Sequence, residues 1–459
     1  MSGTTEEKKV PLDAGSSEEL ERGSNSVAGG FDTSATKKLI RKIDLVLIPW
    51  LALLYLLSFL DRTNIGNARL AGLEEDLGMS GLDYNVALAI FFPFYVAAEI
   101  PSNIMMKRSR PSLWIPSIMI AWAIVCSLMG LVENYAGLLV ARAALGIAEG
   151  GLFPGVTFYI TMWYKRHECG LRMAIFFSAA TAAGAFGGLL ARGIGEMDGI
   201  GGKGGWAWIF IIEGILTFVV AIASFYVMND YPSTAKFLSA PEKAEVERRL
   251  QEDRSSLADE YNMKYFWDAV KDWKIWVHMF VTVGVYTPLY SFSLFLPTIV
   301  SSLGYQNHEA QLMTVPPIIG FIMLISSDNN GVKYAGTFFA ASGIYPNVPQ
   351  GVAWNGNNIG GSFKRSVGIA MHVGCGNLGG VLSSFIYRSQ DRPHYRIGHG
   401  TLIGCLTMST ILCSIMTVYL RRENARRDRE FKPPAEYSEA ERAAERERGD
   451  SASFFRYTV

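Results

Sequence analysis

The sequence predicts an all-α, polytopic membrane protein built as two helix bundles, and three observations carry that prediction. Of 459 residues, 49% are hydrophobic, 12% aromatic and only 18% charged, too apolar for an ordinary soluble chain. The charges are segregated into tails and loops, between apolar runs of the roughly 20 residues that cross a bilayer. Six such runs precede a long charged stretch and a further set follows it, the pattern of two bundles joined by a linker. About 10–11 hydrophobic segments emerge by length.

Composition also excludes alternatives. Lys plus Arg and Asp plus Glu both number 42, for a formal net charge of zero, so no global field argues for nucleic acid. The five cysteines (Cys126, Cys169, Cys375, Cys405, Cys413) lie mostly within or beside apolar runs and form no CxxC pair. Neither a disulfide framework nor a zinc site is expected. There is no nucleophile motif, phosphate-cradling loop or metal-ligand cluster, so neither an enzyme nor a cofactor is expected. No filter-like repeat suggests a channel.

In chain order, residues 1–36 are polar, Ser/Gly/Glu-rich and lack an apolar signal core, and read as a disordered cytoplasmic tail. Lys37, Lys38, Arg41 and Lys42 then precede the first span, Ile43–Leu60, and place its start on the cytoplasmic side. The further spans of a six-helix bundle (37–228) are Asn85–Met106, Leu113–Val132, Tyr135–Trp163, Met173–Leu190 and Trp208–Met228. Residues 229–272 turn polar and read as a cytoplasmic amphipathic linker. A shortened second bundle (273–429) holds Ile275–Ser301, Val332–Val352, Val367–Tyr387 and Leu402–Leu420, with the short stretch Met313–Ser326 marginal for crossing. Residues 430–459 read as a second disordered cytoplasmic tail. If 313–326 does not cross, Lys364, Arg365, Arg421 and Arg422 all fall inside, as the positive-inside rule requires.

Charges inside the spans single out candidate functional residues. Arg142 and Glu149 lie seven residues apart, almost two turns, and so project from nearly the same face. A charge at the bilayer centre costs about 2.5–3.5 kcal/mol on insertion scales, so the two imply a polar cavity or a partner helix. An ion pair that only staples helices is the structural alternative. Gly146, Gly150, Gly151 and Gly155 permit close backbone approach, and Pro154 is expected to interrupt the helix. Asp61 and Arg62 are adjacent on the first helix and so face different partners. Tyr95, Glu99 and Asn103 on the second span and Tyr290 on the seventh are secondary candidates, with helix packing and a kink at Pro101 as the alternative. Glu213 reads equally as a helix-to-helix hydrogen bond or a proton site.

Several separate stretches then resemble one family. DRTNIGNA from Asp61, EIPSN from Glu99, KRSRPSLW from Lys107, RAALGIAEGG from Arg142, PSTAKFLSAPEK from Pro232 and WNGNNIGGSFKRS from Trp354 resemble the major facilitator superfamily. More narrowly they resemble its anion:cation symporter branch, in particular fungal allantoate and nicotinate permease-like proteins, from about Lys37 to Arg429. The resemblance implies secondary active, proton-coupled uptake of a small organic anion by alternating access, in the plasma membrane, by a monomer with both termini cytoplasmic. It implies substrate-binding roles for Arg142 and Arg62, with Tyr95, Asn103 and Tyr290 beside them. Proton coupling falls to Asp61, Glu149 and Glu99. Asp61, Arg62, Arg142 and Glu149 are expected to share one polar chamber between the bundles. The departure is that Met313–Ser326 stands where the family has its eighth and ninth spans. A non-transporting, sensor-like or inactive truncated member is therefore the alternative reading.

Overall fold

A computed structural model describes residues 33–254, 263–301, 330–391, 395–433 and 436–459. The expected short stretch at 313–326 and nearly all of the first tail lie outside the described residues. Residues 33–36, expected in that tail, instead open the first helix.

The described residues are all-α. Helix α1 is Thr33–Leu70, and a short helix Asp83–Ala89 leads into α2, Phe91–Arg108. Then come α3, Pro111–Met129, α4, Tyr135–Glu149, α5, Leu152–Thr161, α6, Arg166–Gly195, and α7, Gly205–Val227. The linker holds α8, Ala240–Arg254, and α9, Met263–Lys271. The second half has α10, Trp273–Ser301, α11, Asn330–Asn357, α12, Ser362–Ser384, and α13, Arg396–Glu430. A last helix, α14, is Glu439–Ala444.

Local chemistry explains the boundaries. Pro111 opens α3, where its missing N–H is no loss. The Asn134 side chain caps α4 by accepting from Gly137 N at 2.8 Å. The fourth span breaks at Gly150 and Gly151, between α4 and α5, rather than at the expected Pro154. Pro154 sits in the first turn of α5, where a helix has no intrahelical bond for its nitrogen to lose.

Eight helices among the described residues are long and apolar enough to cross a membrane: α1, α2 with its lead-in, α3, the α4–α5 pair, α6, α7, α10 and α13. The stretch 332–352 is helical within α11, and the expected span 367–387 is helical only to Ser384, where α12 ends; Gly, Ser and Asn dilute both apolar runs and neither is among the eight. In the first half α1 packs on α6 and α7, α3 on α7, and α4 on α2 and α3. In the second, α10 packs on α11, α12 and α13. The halves meet where α10 touches α1, α12 touches α2 and α11 touches α6. Phe92 packs edge-on to Tyr290 across this seam, with ring centroids 4.8 Å apart, and Asn85 donates to the Ser384 carbonyl.

The linker is tied to the first bundle by Lys42–Glu242 at 2.7 Å and Arg249–Glu168 at 2.5 Å. The second tail departs from the expectation of disorder. Residues 436–459 fold back, and Ala452, Phe455 and Tyr457 form a small core with Met416 and Leu420 of α13. Arg427 donates to the carbonyls of Asp450, Ala452 and Phe455. Asp450 pairs with Lys274 and with Lys364. The charge-rich run around Glu439 concealed SASFFRYTV, whose aromatic residues bury and so offset the entropy of ordering the chain.

Candidate functional site: a buried charge centre at the bundle seam

Glycine brings α2 and α4 into contact. A Cβ on Gly146 would strike the Phe91 carbonyl, and one on Gly150 the Tyr95 carbonyl, so the two backbones touch along the small-residue stripe. That contact places Phe91 and Tyr95 beside the charged face of α4. Arg142 and Glu149 are both fully buried at 0% exposure, and Arg62 of α1 is 3% exposed.

Arg62 organises the centre. Its Nη2 lies 2.6 Å from Glu149 Oε1, and Ser58, one turn earlier on α1, donates to the same oxygen. Its Nη1 donates to the Tyr290 hydroxyl at 3.2 Å, which in turn donates to Asn377 Oδ1 at 2.6 Å. The chain Glu149–Arg62–Tyr290–Asn377 thus runs from the first bundle into the second. The guanidinium also lies over the rings of Tyr95 at 4.9 Å and Phe91 at 5.2 Å, as favoured for a desolvated cation.

Arg142 shares the Phe91 ring, at 5.0 Å, and its Nε donates to the Ala87 carbonyl at 3.2 Å. Its Nη1 and Nη2 have no hydrogen-bond partner among the described residues. The same holds for Arg62 Nε, Glu149 Oε2, Asn377 Nδ2 and both carboxyl oxygens of Glu99. Glu99 faces α12, where a Cβ on Gly374 would stand 3.7 Å from its Oε2. Buried polar atoms are ordinarily paired, and here unmatched donors and acceptors are concentrated in one region.

Of the expected site residues, the structure brings together Arg62, Arg142, Glu149, Tyr95 and Tyr290, with Glu99 at the edge. It does not place Asp61 with them. The Asp61 carboxyl turns the other way and accepts from Trp122 Nε1 at 2.9 Å and Thr217 Oγ1 at 3.1 Å. This corrects the expectation of one chamber holding all four charges: adjacent residues on a helix point about 100° apart. Asn103 is half-buried one turn beyond Glu99. Ser58, Phe91 and Asn377 were missed. Ser58 had a readable signal, its i, i+4 spacing from Arg62, and Asn377 stands out as an amide inside the glycine-rich run GCGNLGG.

Fold and buried seam define the class: an α-helical membrane transporter of two-bundle type. The chain belongs to the major facilitator superfamily, whose model, described as Major Facilitator Superfamily, matches residues 51–332. It is 36% identical over 446 residues to MFS-type transporter cnsO of Penicillium expansum, covering 86% of each chain. It is 30% identical over 423 residues to the high-affinity nicotinic acid transporter of Saccharomyces cerevisiae, covering 84% of this chain and 78% of that one. A bacterial homologue of the human lysosomal transporter Spinster, solved inward-facing and unoccupied, superposes with a TM-score of 0.58 at 15% identity, covering 80% of this chain and 95% of that one. At that identity the likeness speaks for the fold.

Proposed function

We propose that this transporter couples protons to the uptake of a small organic anion, a carboxylate of the nicotinate or allantoate kind, by alternating access between the two bundles. The observation that carries the reading is the Arg62–Glu149 pair inside the first bundle, hydrogen-bonded through Arg62 to Tyr290 of the second, beside an Arg142 whose two Nη groups have no partner among the described residues. Arginine stays charged and presents a planar fork that matches a carboxylate. A carboxylate entering the seam takes up the unpartnered Nη1 and Nη2 of Arg142 and competes with Glu149 for Arg62. Protonation of Glu149 releases Arg62 to the substrate, so proton and anion favour each other's binding. Tyr290 and Asn377 report the exchange to the second bundle, and Tyr95 lines the site. Asn103, one turn beyond Glu99, is a further substrate contact in this reading. Glu99 and Asp61 are further proton carriers. The nicotinic acid transporter among the relatives supports a carboxylate.

Plasma-membrane residence, cytoplasmic termini and a monomeric state complete the proposal. So does the loss of the eighth and ninth family spans around 313–326. That loss favours the second reading, a non-transporting or sensor-like member. Uptake of labelled nicotinate and allantoate into cells expressing the full chain, with and without an inward pH gradient, separates the two. Concentrative uptake that collapses with the gradient supports the carrier, and absence of uptake with normal surface expression supports the second reading. If Glu149→Gln still concentrates substrate in a pH-dependent way, Glu149 is not the coupling site.

A further inference from the structure

The face of α1 turned away from the seam carries its own buried polar system. Asp61, Asn64 and Asn67 recur every three residues, hence on one face, directed at α3 and α7. Asp61 Oδ2 accepts from Trp122 of α3 and Thr217 of α7. One turn along, Asn64 donates to Glu213 Oε2 and accepts from Asn67 Nδ2 at 3.2 Å. Thr217 lies four residues after Glu213, so α1 and α7 are joined by two rungs, each containing one carboxyl. Close packing seals the site: a Cβ on Gly214 would lie against Ser127 of α3.

Asp61 is 1% and Glu213 2% exposed. Every donor to them is neutral, and no Lys or Arg among the described residues forms a salt bridge to either one. Three oxygens on this face, Asp61 Oδ1, Glu213 Oε1 and Asn67 Oδ1, have no hydrogen-bond partner among the described residues. Two bare carboxylates in a dry interior cost far more than neutral donors return. A bound cation restores the balance, and a proton does so with no extra volume. The O–H it creates also supplies a donor where acceptors are in excess.

We propose that Asp61 and Glu213 form a proton-binding site inside the first bundle, separate from the Arg62–Glu149 pair. It holds a second proton, beside the one that frees Arg62 from Glu149, while the substrate anion occupies the arginines; this rests on the proton-coupled reading above and assigns Asp61 a partner. The titratable groups facing the pair from the packed elements are few. Cys126 of α3 donates its thiol to the Phe210 carbonyl at 3.7 Å and also lies beside the Asp61 carboxyl, as a neutral neighbour. Glu149 of α4 is engaged by Arg62. On α6 the contact with α1 at this level is Gly187 against Leu60. Arg62 itself faces the seam.

Glu213→Gln keeps an oxygen for Asn64 and loses the exchangeable proton. In liposomes holding the full chain, with labelled nicotinate as probe, Glu213→Gln is expected to retain exchange of internal for external substrate and to lose accumulation driven by a pH gradient. Accumulation equal to wild type overturns the proposal. So does a wild-type protein driven by a sodium gradient in place of a proton gradient, or parallel loss of exchange and accumulation in the variant, which marks a structural tie only. A second measurement needs no substrate. The infrared band of protonated carboxyl groups in the purified full chain is expected to shrink in Glu213→Gln and in Asp61→Asn. A band unchanged in both overturns the site, whatever the chain carries. Failure of nicotinate and allantoate transport with the band difference present overturns the functional reading and leaves the site standing.

Discussion

Two ionic clusters in this protein have similar membership and opposite character. At the seam, Arg62 and Arg142 share a buried region with Glu149 and Glu99, and several of their polar atoms are unmatched. Where the second tail folds back, Lys274 and Lys364 meet Asp272 and Asp450, and here the charges interlock. Lys364 bonds Asp272 at 2.7 Å and Asp450 at 2.6 Å, while Lys274 bonds Asp450 and the Tyr457 hydroxyl. Burial pushes the Asp450 carboxyl up, but Lys274 and Lys364 more than offset it and hold it below the usual carboxylate range. A cluster whose groups are mutually satisfied gains nothing from a ligand and serves as structure. A cluster with spare donors and acceptors is poised to exchange partners.

The largest effect that sharpens this contrast is expected at Arg62. Arg62→Met strands Glu149 without its cation and lowers stability by about 3–5 kcal/mol, read as loss of monodisperse protein in detergent. Adding Glu149→Gln is expected to restore the fold but not uptake; failure of that rescue contradicts the ion-pair account. Next comes Arg142→Lys, which breaks no ion pair. Its thermal stability should stay near wild type while labelled-carboxylate uptake weakens by roughly 10–100-fold, the value of a lost charge-assisted bond of about 1.5–3 kcal/mol. Near-normal affinity removes Arg142 from the anion site.

At the tail, Asp450→Asn is expected to cost about 1–3 kcal/mol of stability and to leave uptake intact. The pH dependence follows from the depressed carboxyl. Its contribution is fully present above the unfolded value, near 3.9, and is lost as pH falls through the lower folded value. The melting difference between wild type and variant should therefore hold from pH 7 to about 5 and close on further acidification. A transport defect with unchanged melting would reverse the roles of the two clusters. Tyr290→Phe, which removes one hydroxyl from the seam chain, should weaken substrate affinity about fivefold, the value of roughly 1 kcal/mol. Smallest of all, Lys42→Ala deletes a pair whose lysine side chain is 43% exposed and should change stability by under about 1 kcal/mol.

How far the sequence could be read depended on the range of the interaction concerned. Arg142 and Glu149 were legible because helical spacing is local: seven residues return a side chain to the same face wherever the helix lies. The glycines of α4 were legible for the same reason, and the structure sets Gly146 and Gly150 against the α2 backbone. The adjacency of Asp61 and Arg62 predicted divergent faces, yet expecting both in one chamber ignored that inference. Asn377 and Tyr290 were separable only by fold, since they lie 87 residues apart in sequence and on different helices. The tail at 436–459 was misread because its charge density suggested disorder, while Lys274 and Lys364, its partners, lie far back in the chain.

Apolar length, charge segregation and short-range spacing were enough to establish a helical membrane protein, its two-bundle plan and the face on which α4 carries its charges. Those properties arise within single helices, where geometry is set by neighbours a few residues away. Packing alone chose which charges met: Arg62 with Glu149 beside the seam, Asp61 with Trp122 and Thr217 behind it, Asp450 with two distant lysines. Pairing in a low-dielectric interior depends on which helices touch and at what rotation, and no local pattern encodes that.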